Sequence, residues 1–469
     1  MNSGLDALLN PRSIAIIGAT DREGSVGAVI TKNILTKYPG KIYLVNPSRN
    51  ELMGRGVYKS ILNVEDDVDL AIIVTPAQIV PKIMRECVTK GVKAAIIISG
   101  GFSESGDDGV KLENEIRNEA LGKIRILGPN CIGVFNAFTG LDTFFISSTR
   151  MGRPRPGPIA LISQSGAVAA AILDWAARRN IGVGIAINYG NKLDAGEAEL
   201  LQHLAEDDRI KVIVMYMEGL KYPGEGKKLL ETMRTITKKK PIVVYKAGRT
   251  RSSGRAVKSH TAALAGNYEI YHAMFRQAGA IEANNLMEAL EIAKALATQP
   301  PPMGNKVLVI TDSGGAGVQA VDNLELNELV VPELPQEVRS TLSKKLPPLA
   351  STANPIDLTG SATNAMYKFV LDTVLPTNYV DMALVMAQMQ LPGMTQDLAE
   401  YIIEARRYGK PVIVYGISEN DDAKAFKTRL EESGVPTYDR LETAARALRA
   451  LYEYAKVRHG LRSKVMNIH

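Results

Sequence analysis

Again and again along this chain a short, almost purely apolar run ends in a cluster of small residues and passes into a helical stretch. Ser13–Ile17 leads into Gly18-Ala19-Thr20-Asp21, Ile159–Ile162 into Ser163-Gln164-Ser165-Gly166, and Lys306–Thr311 into Asp312-Ser313-Gly314-Gly315-Ala316-Gly317. A short run that is apolar at nearly every position reads as a strand buried on both faces, as in a parallel sheet covered by helices. Around the first run stand four more of the same kind, Ile42–Val45, Leu70–Val74, Ala94–Ile98 and Arg125–Leu127. The amphipathic stretches Ala77–Lys90 and Gly109–Leu121 separate them. That rhythm predicts a doubly wound parallel α/β sheet.

Arg153-Pro154-Arg155-Pro156-Gly157-Pro158 and Pro300-Pro301-Pro302 break the alternation. The 469 residues are long enough for three cores of ordinary size. The expectation is three consecutive α/β domains, at 1–150, 151–300 and 301–469. In the second, Gly184–Asn188, Val212–Met217 and Ile242–Tyr245 read as strands and Val168–Arg178 as a helix. In the third, Met382–Met389 and Val412–Tyr415 read as strands, with helices at Val318–Leu324, Asp397–Arg407 and Glu442–Val457.

In such sheets ligands bind beyond the carboxyl ends of the strands. For the first domain these are Gly18-Ala19-Thr20, Asn46-Pro47, Thr75-Pro76, Ser99-Gly100 and Gly128-Pro129-Asn130, with Ser25 and Val26 closing the first turn. That turn is longer than GxGxxG, and Asn46-Pro47 stands where a dinucleotide site usually carries an acid. A phosphate-bearing adenine nucleotide is therefore favoured over NAD, with a ligand-free glycine turn as the alternative.

The strand Ile242–Tyr245 runs into a loop rich in Gly, Ser, Lys and Arg that carries His260. Glycine and serine give backbone freedom, cations suit phosphate, and a neutral imidazole can accept a phosphoryl group. A solvated basic loop with an incidental histidine is the other reading. Glu218, at the end of Val212–Met217, could orient that imidazole or pair with Lys246 or Arg249. His203, His272, His459 and His469 read as structural or solvated. Asn354 and Asp357 lie in an oxygen-rich loop, Ala353–Gly360, that is either turn chemistry or a site wall.

A net charge of +6 over 56 basic and 50 acidic residues, with aromatics at 6%, favours phosphorylated or carboxylated small molecules over nucleic acid. Two cysteines, Cys87 and Cys131, support neither a disulfide framework nor a metal cage. No apolar run is long enough to span a bilayer and no signal peptide opens the chain, so a cytoplasmic protein is expected.

Taken in order, Pro11–Ala19, Gly128–Gly133, Ser163–Gly166, Gly190-Asn191-Lys192, Tyr216–Gly219, Lys246–Arg249, Ser259–Ala262, Asp312–Gly317 and Asn354–Leu358 make the chain resemble one family over nearly its whole length. That family is the alpha subunit of ADP-forming acetate–CoA ligase, within the succinyl-CoA synthetase superfamily. The resemblance implies a CoA-binding Rossmann-like domain followed by two flavodoxin-like domains. It implies His260 as the residue phosphorylated and Glu218 as its orienting acid. It also implies phosphate held by Gln164-Ser165-Gly166 and Ser313-Gly314-Gly315, and CoA on the strand ends of the first domain. The carboxylic acid is expected near Asn130, Asn354 and Asp357. No metal site is expected on this chain, since the family's Mg²⁺ travels with ADP or ATP on an ATP-grasp beta subunit. The resemblance therefore implies an alpha2beta2 heterotetramer. A synthetase for an aryl or branched-chain acid, or a non-catalytic CoA-sensing protein, are the competing expectations.

Overall fold

The structure is a computed structural model that describes residues 3–254 and 267–460. His260 and the motif Ser259–Ala262 lie outside the described residues. The chain divides into two compact units, Met1–Leu290 and Glu291–His469.

The first unit carries two seven-stranded sheets. In the first, β1 (Ser13–Ile17) is central, with β2 (Lys41–Val45), β4 (Arg55–Tyr58) and the short β3 (Glu51–Leu52) on one side. On its other side lie β5 (Leu70–Ile73), β6 (Ala94–Ile97) and β7 (Arg125–Leu127). Every pairing is parallel except the small ribbon β3–β4. All five residues of β1 are buried, and alternate ones face opposite ways. Ile14 and Ile16 enter one apolar cluster while Ala15 and Ile17 enter another. A strand with a core on both faces has to be apolar throughout, and this is the origin of the unbroken run in the sequence.

The second sheet is ordered β14-β13-β12-β10-β11-β8-β9. Its strands are β8 (Gly133–Asn136), β9 (Leu141–Asp142), β10 (Ile159–Ser163), β11 (Val183–Asn188), β12 (Val212–Met217), β13 (Ile242–Lys246) and β14 (Ile281–Glu282). β8 and β9 are antiparallel additions that the sequence reading did not contain. They are four and two residues long and bounded by Gly, Pro and Asn, too short to show a period.

The second unit has one parallel sheet, β16-β15-β17-β18-β19. These strands are β15 (Val307–Thr311), β16 (Ile356–Asp357), β17 (Met382–Ala387), β18 (Val412–Gly416) and β19 (Thr437–Tyr438). In each of the three sheets the strand before the small-residue turn has partners added on both sides. β1 lies between β2 and β5, β10 between β11 and β12, and β15 between β16 and β17. Each turn therefore opens at the point where strand order reverses, which is where an α/β sheet leaves a crevice.

Two expected turns are helical instead. The helix expected from Val168 starts at Gly166, and the one expected from Val318 starts at Gly314. Glycine lowers helix propensity, but here it allows close approach. A Cβ at Gly166 would sit 3.0 Å from Ile132 Cγ2, and one at Gly317 would sit 3.1 Å from Thr311 Cγ2. Asp397–Arg407 proves to be a helix, Leu398–Ala405, closed by a 3-10 turn at Arg406–Tyr408. Among the described residues no helix is long and apolar enough to cross a membrane.

Candidate functional site

Gly18 leaves β1 at φ +94°, and a Cβ there would lie 2.3 Å from the Val74 carbonyl oxygen. Only glycine allows the turn to be this close to β5. Asn46 then fixes the turn. Its Nδ2 donates to Ala19 O at 2.8 Å while its Oδ1 accepts from Ser48 N at 2.9 Å. Ser25 caps the helix Val26–Lys37, accepting from Ala28 N and donating to Arg22 O at 2.7 Å. Ser99 closes the next strand end by hydrogen bonds to both backbone groups of Thr75.

These turns surround a cleft of about 1190 Å³. Gly18, Thr20, Ser25, Val26, Asn46, Pro47, Thr75, Pro76, Ser99, Gly100 and Asn130 all line it. Ala19 does not; it is fully buried, and its carbonyl is the acceptor that holds Asn46. Four cations edge this cleft, Arg22, Arg49, Lys59 and Lys82, of which sequence reasoning noted only Arg22, as part of the first turn. They come from four separate segments and form no run that composition could show.

A smaller cavity of about 380 Å³ adjoins it. Its lining includes Gln164, Ser165, Gly166, Ala167, Glu218 and Asn130, the last shared with the large cleft. The first N–H groups of a helix have no acceptor within it, so the start of Gly166–Arg178 favours an anion. Gln164 Oε1 accepts from Glu218 N at 2.8 Å and Gly219 N at 3.1 Å, tying the end of β10 to the end of β12. Glu218 is 5% exposed, and its Oε1 accepts from Tyr216 Oη at 3.1 Å.

Lys246 is fully buried, its Nζ 2.7 Å from the main-chain oxygen of Glu218 and 4.6 Å from the centre of the Tyr271 ring. Burial pulls its ammonium pKa down to about 8, with the Glu218 charge opposing the shift. Arg249 reaches Glu282, at 3.4 Å, and the main-chain oxygens of Lys246 and Ala283. Of the two readings left open for Glu218, the pairing with Arg249 is thus taken up by Glu282 instead.

Asn191, Lys192 and Lys221 also border the small cavity and were not expected as site residues. Lys192 is 3% exposed and bound to Glu197 at 3.0 Å and Glu225 at 2.8 Å, and Lys221 meets Glu113 at 2.6 Å. Asn191 links the two sheets, bonding Asn130, Ser103 and Glu104. No sequence signal marks a pair such as Lys221 with Glu113, whose members lie 108 residues apart.

In the second unit, Ser313, Gly314 and Gly315 open the helix Gly314–Leu326 beside Asp357. A Cβ at Gly314 would lie 2.9 Å from Asp357 Oδ2. Asp312 is 4% exposed and accepts from Gln388 N at 2.7 Å, and burial raises its pKa. Asn354, expected near the carboxylic acid, is tied to the strand beside it. Its amide accepts from Val309 N at 2.9 Å and donates to Val307 O at 2.9 Å and Pro332 O at 3.2 Å. That side chain completes the hydrogen bonding of β15, the part a strand neighbour would otherwise play.

Residues 12–137 match a CoA binding domain, residues 156–296 a succinyl-CoA ligase like flavodoxin domain, and residues 307–462 a ligase-CoA domain. The chain is 39% identical over 464 residues to the acetate–CoA ligase [ADP-forming] I subunit alpha of Pyrococcus furiosus, covering 96% of this chain and 98% of that one. It is 40% identical to the acetate–CoA ligase [ADP-forming] of Methanocaldococcus jannaschii, over 95% of this chain and 62% of that longer one. A solved acetyl-coenzyme A synthetase 1 of Ca. Korarchaeum cryptofilum, in complex with phosphate and ADP, superimposes with a TM-score of 0.89 at 34% identity, over 98% of both chains.

Proposed function

Because the chain belongs to the family of ADP-forming acetate–CoA ligase alpha subunits, we propose that it interconverts acyl-CoA, ADP and phosphate with a carboxylic acid, ATP and CoA. The observation that carries this is that two cavities share Asn130 in their walls, one large and cation-edged, the other lined by a helix start and Glu218.

CoA fits the large cleft. The Gly18 approach to Val74 leaves backbone open to a diphosphate, and Arg22, Arg49, Lys59 and Lys82 offer charge to its phosphates. The small cavity then receives the thioester end. Gln164, Ser165 and Gly166 would hold phosphate, and Asn130 would donate to the acyl oxygen.

In the ATP-forming direction, a phosphate oxygen bonds to the acyl carbon and the carbon–sulfur bond breaks, giving acyl phosphate and CoA thiol. The imidazole of His260 next takes the phosphoryl group and frees the carboxylate. Glu218, anchored by Tyr216, would orient that ring. Phosphoryl transfer asks mainly for positioning and neutralised charge, which the helix start and Lys246 can supply. Ser313, Gly314 and Gly315 are proposed as the second phosphate-holding helix start.

Nucleotide and Mg²⁺ are assigned to a separate beta chain in a heterotetramer. Support comes from the subunit naming of the Pyrococcus relative and the greater length of the Methanocaldococcus one. The test mixes this chain with that partner, Mg²⁺ and labelled ATP, and follows acid-labile, base-stable label. His260→Asn should abolish the label, while Glu218→Gln should slow it and leave CoA binding unchanged. Label that survives His260→Asn ends the proposal.

A further inference from the structure

Three residues line both cavities: Ile98 at the end of β6, Asn130, and Phe145 just after β9. Among the described residues these three border both spaces, and that shared boundary is the neck. Phe145 lies outside any strand or helix, and the residues on either side of it are tied down. Its neighbour Phe144 is fully buried, edge-on to Phe135 at 6.5 Å between ring centres. Asp142, 2% exposed, accepts from Phe144 N at 3.1 Å. The Arg153 guanidinium binds Asp142 at 2.8 Å and donates to Ile146 O at 2.8 Å, and Asn33 Nδ2 donates to Phe144 O at 2.9 Å. Backbone on each side of Phe145 is therefore fixed by a buried ion pair and an amide.

Beyond the neck, Glu104, Gln164, Asn188, Lys192, Glu218 and Lys221 place polar groups around the small cavity. Among the described residues, apolar contact for an acyl chain comes from Ile98 and Phe145 at the neck and from Cys131, Ile132 and Ala167 nearby. An aryl group reaching further would lie against these polar groups without offering them a hydrogen bond.

We propose that Phe145, with Ile98 beside it, is the gauge that limits the acyl group to a short aliphatic chain. This rests on the reading of the two cavities as CoA and acyl-phosphate sites. Differences of one or two carbons in an apolar pocket change kcat/KM by about tenfold to a hundredfold.

The experiment uses the chain reconstituted with its nucleotide-binding partner and a panel of acetate, isobutyrate and phenylacetate. The wild type should favour acetate over phenylacetate by at least roughly tenfold. Phe145→Ala should raise kcat/KM for phenylacetate by about tenfold while the Kd for CoA stays within about twofold. Phe145→Leu, which keeps an apolar side chain at the neck, should relax selection for isobutyrate first and serves if the alanine variant does not fold. A wild type active on acetate whose acid ranking is unchanged in both variants, with CoA still bound, overturns the gauge alone. A wild-type complex that makes no acyl-CoA from any acid overturns the parent reading and the gauge with it.

Discussion

Replacing Arg153 by Met tests how the neck is built, and its size can be worked from the contacts. The guanidinium is 6% exposed and its partner Asp142 is 3% exposed at the side chain. Removing one member of such a pair leaves the other charge buried and costs about 3–5 kcal/mol. The variant also loses the donors to Met151 O and Ile146 O, which Met cannot replace.

Asp142 has one escape. Burial already holds its pKa above the ordinary carboxylate value even with Arg153 present, and without the arginine it rises further. A carboxyl whose folded pKa exceeds its unfolded pKa binds more protons when folded, so stability falls as pH rises between the two. The penalty should therefore be smaller near pH 5 than near pH 8, by up to about 1.4 kcal/mol for each unit of that interval.

Hydrogen exchange read on the amides of residues 134–151 reports the local opening directly. We expect protection there to drop by roughly a hundredfold or more at about pH 8, and by less at about pH 5. Exchange elsewhere in the second sheet should change little. Protection unchanged at the higher pH would refute the claim that this ion pair holds Phe145 in place.

Lys246 offers a second test with the opposite sign. Its pKa of about 8 in the folded chain lies below the ordinary value of 10.5. The unfolded state thus binds more protons between those values, and stability from this group rises with pH across that window. The shift corresponds to on the order of 3 kcal/mol. Lys246→Met should lose that rise, seen as a melting-temperature gap between wild type and variant that differs at about pH 7 and about pH 10. An equal gap at both would contradict the burial argument. For Asn354→Ala, the loss of three hydrogen bonds around β15 predicts destabilisation of about 2–3 kcal/mol in urea, with KM for the carboxylic acid unchanged. A raised KM at unaltered stability would restore Asn354 to the substrate site.

The periodicity of the chain was enough for the class of fold. β1, β10 and β15 are apolar at nearly every position because each is buried along its whole length. The small residues after them were legible as tight turns for the same local reason, since Gly18 must come within reach of Val74. What the sequence could not convey is anything set by distant partners. Asn354 reads like a polar loop residue, yet it completes hydrogen bonding on β15. Phe145 reads like one more apolar residue beside Phe144, and only the Asp142–Arg153 pair and the meeting of two cavities give it a role. Local pattern records what a residue's own strand or helix needs; which side chains converge on one space depends on how the sheets are packed, and that is decided only when the chain is folded.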